Sequence, residues 1–206
     1  MRKDTLEIKK PNLLVVEGDE ESYFFQAFIR RIGVSNIQIM PIGGKTKLRK
    51  NLKALIRTPK FSEVISLGIE RDADDNPRAA FQSVCDALRY VNLPVPRRPL
   101  DPTGNQPRVT VLIIPSVNSC GMLEDICFQA LAEDPAMSCI EQYFQCLRQN
   151  GLSLPNNMAK AKIHAFLASR PEPGKRLGEA AEAGYFPWDA EAFNPLRDFI
   201  QFISRE

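Results

Sequence analysis

Four short runs of the chain are predominantly apolar: 13–16 (Leu-Leu-Val-Val), 37–40 (Ile-Gln-Ile-Met), 64–69 (Val-Ile-Ser-Leu-Gly-Ile) and 109–114 (Val-Thr-Val-Leu-Ile-Ile). A strand buried on both faces loses the in–out alternation of a half-solvated one, so runs of this kind predict a mainly parallel sheet. Between them the period changes to that of a helix. Residues 20–32 place Phe24, Phe25 and Phe28 on one side, with Asp19 as the expected cap. Residues 46–57 follow Gly43-Gly44 and align Leu48, Leu52, Leu55 and Ile56. A third helix starts at Asn76-Pro77 and runs to Tyr90, because proline suits the first helical turn, where its missing N–H is not needed.

The proline-rich stretch 92–108 predicts a long surface loop before the fourth strand, and 122–132 a helix after it, with Ser116, Asn118 and Ser119 as candidate caps. From residue 136 onward strand signals vanish. Helices are expected over 136–149, 157–168 and 190–203, with a break at Pro171-Glu172-Pro173-Gly174. The pattern predicts an α/β domain over 1–135, a four-stranded mainly parallel sheet flanked by helices, and a helical C-terminal extension over 136–206 packed on the same domain.

Composition narrows the picture a little. At 206 residues and 44% hydrophobic content the chain can bury a full core. Its 27 Lys/Arg against 25 Asp/Glu give a net charge of +2, so a polyanionic partner has to be argued from where the charges fall. The five cysteines, Cys85, Cys120, Cys127, Cys139 and Cys146, include no C-x-x-C pair and read as reduced packing residues. No apolar stretch approaches the length of a membrane span, and Met1-Arg2-Lys3-Asp4 does not lead into a signal segment, so a cytoplasmic location is expected.

Acidic residues follow two of the strands: Glu17 after the first, and Asp72-Ala73-Asp74-Asp75 after the third. Open parallel sheets place ligand sites beyond the carboxyl ends of their strands, so Glu17, Asp72 and Asp74 are expected to meet. Like charges brought together in this way call for a counter-ion, and an all-oxygen set suits Mg²⁺ or Mn²⁺. An EF-hand is excluded, because Pro77 stands where that loop needs glycine and Ser83 where it needs glutamate. Glu124-Asp125, in the first turn after strand four, offers a further ligand. Neighbours on a helix point about 100° apart, so one of the pair is expected to face the site, and Glu124 is chosen.

Gly43-Gly44-Lys45-Thr46 is not a Walker A motif, since Ile39 occupies the position of its first glycine. Downstream, Lys45, Arg49, Lys53 and Arg57 belong to a stretch without acids from Gly43 to Ser62, and Arg49, Lys53 and Arg57 share one helical face. Such a stripe can track a nucleic-acid backbone, or be an ordinary solvated face. The single histidine, His164, reads as a packing or boundary residue, and a zinc site is not supported.

A glutamate at a first strand end with a D-x-D at a later one resembles the Toprim fold of topoisomerases, bacterial primases and the nucleases of the overcoming-lysogenization-defect family. The resemblance lies at Val15-Val16-Glu17-Gly18 and Asp72-Ala73-Asp74. A longer likeness, from about 12 to 202, is to an uncharacterised family of small bacterial Toprim-like proteins. It runs through Gly43-Gly44-Lys45, Pro115, Gly121-Met122-Leu123-Glu124-Asp125, Lys160-Ala161-Lys162-Ile163-His164 and Pro173-Gly174. The resemblance implies metal-dependent phosphodiester chemistry on DNA or RNA, with Glu17 as ligand or general acid/base and Asp72, Asp74 and Glu124 as further ligands. It also implies that Lys160 or Lys162 stabilises transition-state charge. A nuclease is favoured over a primase or topoisomerase. The alternative is a non-catalytic module that binds nucleic acid or a partner ATPase.

Overall fold

The computed structural model describes residues 7–205. Met1–Asp4, used above against a signal segment, lie outside the described residues. Among the described residues no helix is long and apolar enough to cross a membrane.

Strands β1 (Asn12–Val16), β2 (Ile37–Pro41), β3 (Ser66–Asp72) and β4 (Arg108–Ile114) form one sheet in the order β2-β1-β3-β4. All three pairings are parallel. Strand alternation sorts the apolar residues into two cores. Leu14, Val16, Leu112 and Ile114 face one, and Leu13, Val15, Leu67, Ile69, Val109 and Val111 face the other. Helices α2 (Leu48–Leu55) and α3 (Pro77–Tyr90) cover the second core. The first is covered by α1 (Asp19–Arg31), α4 (Leu123–Ala130), α5 (Ala136–Gln149), α6 (Met158–Ala168), α7 (Leu177–Glu182) and α8 (Asn194–Ser204).

The last helix lies directly on the sheet, against β1, β3 and β4. It approaches so closely that a Cβ at Gly68 would come within 2.1 Å of the Ile203 side chain. The Arg108 guanidinium fixes the end of α8 by donating to the Phe202 and Arg205 carbonyls at 3.2 and 2.6 Å. Phe24, buried in α1, meets Phe186, Trp188 and Phe193 at ring-centroid distances of 6.1, 5.5 and 6.0 Å. The C-terminal helices therefore share an aromatic core with α1.

Several local expectations are revised. Gly18, not Asp19, is the N-cap of α1, and its carbonyl accepts from the Ser22 N–H at 3.1 Å. Asp19 becomes a first-turn residue, where its charge still complements the helix dipole. Helix α2 is shorter than 46–57, because Lys45–Lys47 form a 3-10 turn. Residues 177–182, assigned no element from sequence, form α7. Cys85 and Cys127 are buried as packing residues should be, but Cys120, Cys139 and Cys146 are exposed.

Candidate metal centre

The strongest departure from the sequence reading builds the site. The apolar run ends at Ile69, yet β3 continues through Glu70 and Arg71 to Asp72, paired with β4 as far as Asp72 opposite Ile114. Alternation sends Glu70 and Asp72 to the face of Gly68, towards α1 and α4. Arg71 goes to the opposite face, into a groove between α2 and α3.

Glu70 is 1% exposed, its Oε1 has no hydrogen-bond partner, and its Oε2 accepts from the Glu17 N–H at 3.4 Å. Burial, reinforced by Asp72, Glu21 and Glu17, pushes its carboxyl well above the usual range. Asp72 stands at the strand end, where Oδ1 accepts from the Leu123 N–H, the first residue of α4, at 3.1 Å. Burial first, then the charges of Glu21, Glu17, Glu124 and Asp74, raises Asp72 to about 8. Glu21 is itself raised by burial and by Glu17 and Glu124. Glu17, Glu21, Glu70, Asp72, Glu124 and Asp74 thus form one interacting set of carboxyl groups.

Asp74 sits at φ 49°, in the left-handed region that aspartate tolerates. It is held there by a two-way backbone bridge with Gly121, at 2.9 and 2.8 Å. Gly121, at φ 133°, has no room for a side chain, since a Cβ would lie 2.6 Å from the Asp125 Oδ2. The D-x-D loop is thereby tied to the turn that leads into α4.

The Glu124-Asp125 pair divides in role. Asp125 folds back to accept from the Met122 N–H at 2.8 Å, while Glu124 points to the Lys160 Nζ at 3.4 Å. Lys160 is in the first turn of α6, where the Asn157 side chain accepts its N–H at 2.9 Å. Lys162 turns elsewhere, to an ion pair with Glu141 and a position 4.9 Å from the Phe128 ring centre. His164 is exposed.

The basic residues also separate. Lys45 lies apart from the stripe, its Nζ 2.8 Å from the Asp74 Oδ2. Arg49 stacks over the exposed Tyr90 ring, 3.7 Å from its centre, and the Lys53 Nζ reaches the Tyr90 hydroxyl at 3.1 Å. Arg57 is exposed beyond the end of α2. A groove of about 560 Å³, lined by Lys45, Arg49, Arg71, Asp74, Asn76 and Ser83, joins the carboxylates to this basic wall. The larger hollow of about 830 Å³ lies at the β2 edge, lined by Lys9, Gln26, Arg30 and Gln38, not by the strand-end acids.

The donor set fits a hard divalent cation: it is all oxygen, the neighbouring carboxylates help to raise Asp72, and the Glu17 Oε2 and Glu70 Oε1 are buried without hydrogen bonds. As the side chains stand, no three such groups among the described residues are arranged as a closed cage. Arg71 and Lys45 meet part of the negative charge instead.

Comparison with solved structures gives the same fold. The C-terminal region of the Burkholderia pseudomallei OLD protein is similar at TM-score 0.53 and 16% identity, over 96% of this chain and 98% of that one. The C-terminal region of the Xanthomonas campestris pv. campestris OLD protein is similar at TM-score 0.53 and 17% identity, over 95% and 92%. At such identities the likeness concerns the fold, which is Toprim-like, as the sequence motifs implied. No curated protein matches the chain significantly. Over residues 11–204 the sequence matches a family model, and the chain belongs to that family, DUF3226, described as a protein of unknown function.

Proposed function

We propose that the protein hydrolyses phosphodiesters of DNA or RNA with a divalent cation held by Glu17, Asp72, Asp74 and Glu124, joined by Glu21. The observation that carries this reading is the half-buried carboxyl set at the ends of β1 and β3, with the Asp72 carboxyl raised to about 8. Mg²⁺ or Mn²⁺ bound there would neutralise charge developing on the phosphoryl oxygens. The chain's own groups supply the rest. Glu70 fixes the Glu17 backbone, so that the Glu17 carboxylate stands at the strand end in reach of an attacking water. Lys160, beside Glu124, brings positive charge to one rim of the site, and Lys45 does so at the other. Arg49, Lys53 and Arg57 contact the phosphates of the strand beyond.

Cleavage should appear when single- and double-stranded DNA and RNA are screened with Mn²⁺, with and without a candidate ATPase partner, and should stop with chelator. Glu17→Gln should lower the rate by about 10²–10⁴-fold. Turnover no greater than that of Glu17→Gln on every substrate overturns the enzyme reading. The second reading, a non-catalytic module for nucleic acid or an ATPase, is favoured by one observation: cationic side chains already stand beside Glu17 and Asp74.

The basic wall has its own test. Arg49→Glu with Lys53→Glu should weaken nucleic-acid binding across sequences and reduce the slope of log affinity against log salt by roughly 1.8 for duplex DNA. An unchanged slope would leave both residues as pins between α2 and Tyr90.

A further inference from the structure

Arg71 is 9% exposed, at the end of a strand whose preceding positions on its own face, Leu67 and Ile69, are core residues. Its Nε lies 3.6 Å from the Glu17 Oε2, and its terminal nitrogen 3.5 Å from the Asp74 Oδ2. The first of these contacts is close but is not a hydrogen bond, since both Nε and the Glu17 Oε2 are buried without hydrogen-bond partners. A guanidinium meant as a permanent structural tie would be expected to make the short bidentate bonds of which it is capable. This one donates a single long hydrogen bond to the Asp74 Oδ2 and stands at ion-pair distance from Glu17, two carboxylates that follow different strands, with its side chain turned into the groove between α2 and α3.

We propose that Arg71 is a resident counter-ion for Glu17 and Asp74, and that a divalent cation held by these carboxylates would displace its guanidinium away from them, further along the groove that it already lines. The inference rests on the metal reading above. A cation at ordinary oxygen-ligand distances of about 2.0–2.6 Å from both carboxylates would lie against the guanidinium, and the two positive charges exclude one another. Lys45 is not equivalent to Arg71. It meets Asp74 alone, and its side chain is 50% exposed against 11% for Arg71, so it can yield to a cation without leaving a buried position. Arg71 thus keeps two of the site's acids compatible with a folded, cation-free protein, and metal loading and the position of this side chain are linked.

Calorimetric titration of the full chain with Mn²⁺ alone tests the idea. Arg71→Met, which keeps the length and apolar stem, should bind Mn²⁺ at least tenfold more tightly than wild type. Arg71→Lys should fall between them. Lys45→Met removes an equal charge from Asp74 and should tighten binding by less than about threefold. A second measurement needs no folded Met variant. In wild type the Arg71 Nε–H resonance, identified by its absence from Arg71→Lys, should shift on saturation with Mg²⁺. A still resonance, or equal gains in Arg71→Met and Lys45→Met, overturns the displacement while leaving the metal reading intact. No Mn²⁺ binding by any of the proteins removes the metal reading, and the inference with it.

Discussion

Asp72→Asn should melt higher than wild type at alkaline pH in the presence of chelator. The folded protein holds the Asp72 carboxyl at about 8, against about 3.9 for an unfolded aspartate. Between these values the native state keeps a proton that the unfolded chain has lost. Wild-type stability therefore falls as pH rises from about 4, and this contribution is gone once pH passes about 8. Asparagine has no such dependence and can still accept from the Leu123 N–H through its carbonyl oxygen. Allowing for solvent at the mouth of the site, about 2 kcal/mol should separate the two proteins at pH 8.5, or roughly 4–8 °C, and almost nothing at pH 4. Metal should reverse the order of benefit. At ten times the dissociation constant, Mn²⁺ adds about 1.4 kcal/mol to wild type by mass action, a rise of roughly 3–6 °C that Asp72→Asn should largely lose. Melts at three pH values, with chelator and with Mn²⁺, check both halves. If the variant unfolds in chelator, or keeps the whole metal-induced rise, Asp72 is an acceptor for the α4 backbone and not a ligand.

Phe24→Ala should be the most damaging single truncation in the core. Phe24 is fully buried, packed edge-on to Phe25 at 5.7 Å and surrounded by Phe28, Phe186, Trp188 and Phe193. Removing the ring deletes its transfer energy and leaves a cavity that rigid aromatic neighbours cannot close, at about 3–5 kcal/mol. Trp188 is the single tryptophan, so its fluorescence reports on the C-terminal helices, while far-ultraviolet circular dichroism reports on the whole chain. Because Phe24 lies on α1 and Trp188 among those helices, the two signals should fall together, about 6–20 °C lower than in wild type. A fluorescence transition preceding the dichroism change would make residues 136–206 a separate cooperative unit.

The sheet was legible because its strands are buried on both faces and so carry little but apolar residues; Leu13–Val16 and Val109–Ile114 could hardly be anything else. For the same reason the site was only half legible. An apolar-run criterion stops at Ile69, whereas the ladder with β4 continues, so Glu70 and Arg71 appeared to belong to a loop. What carries them into the strand is the register with the partner: the apolar run Val109–Ile114 lies opposite Leu67–Asp72, so its last three residues pair with Glu70, Arg71 and Asp72. Glu21 carries no strand-end signal, because it stands in the first turn of α1. It lies one helical turn after Glu17, on the α1 face that turns back towards the carboxylates. The choice between Lys160 and Lys162 could not come from periodicity, since it depends on which neighbour each meets, Glu124 or Glu141.

The close seat of α8 on Gly68 has a consequence for synthesis. Residues 194–204 supply the apolar cover for one face of β1, β3 and β4, and Arg108 finds two of its acceptors, the Phe202 and Arg205 carbonyls, at the end of that helix. The strands are complete long before this cover has been translated. A nascent chain stalled before residue 194 presents an uncovered face of the sheet, including Gly68, where even a methyl group would obstruct later docking. Emergence from the ribosome and completion of the fold are therefore separated by some ninety residues of translation, roughly 5–20 s at ordinary elongation rates, during which that face depends on the intervening helices or on a chaperone.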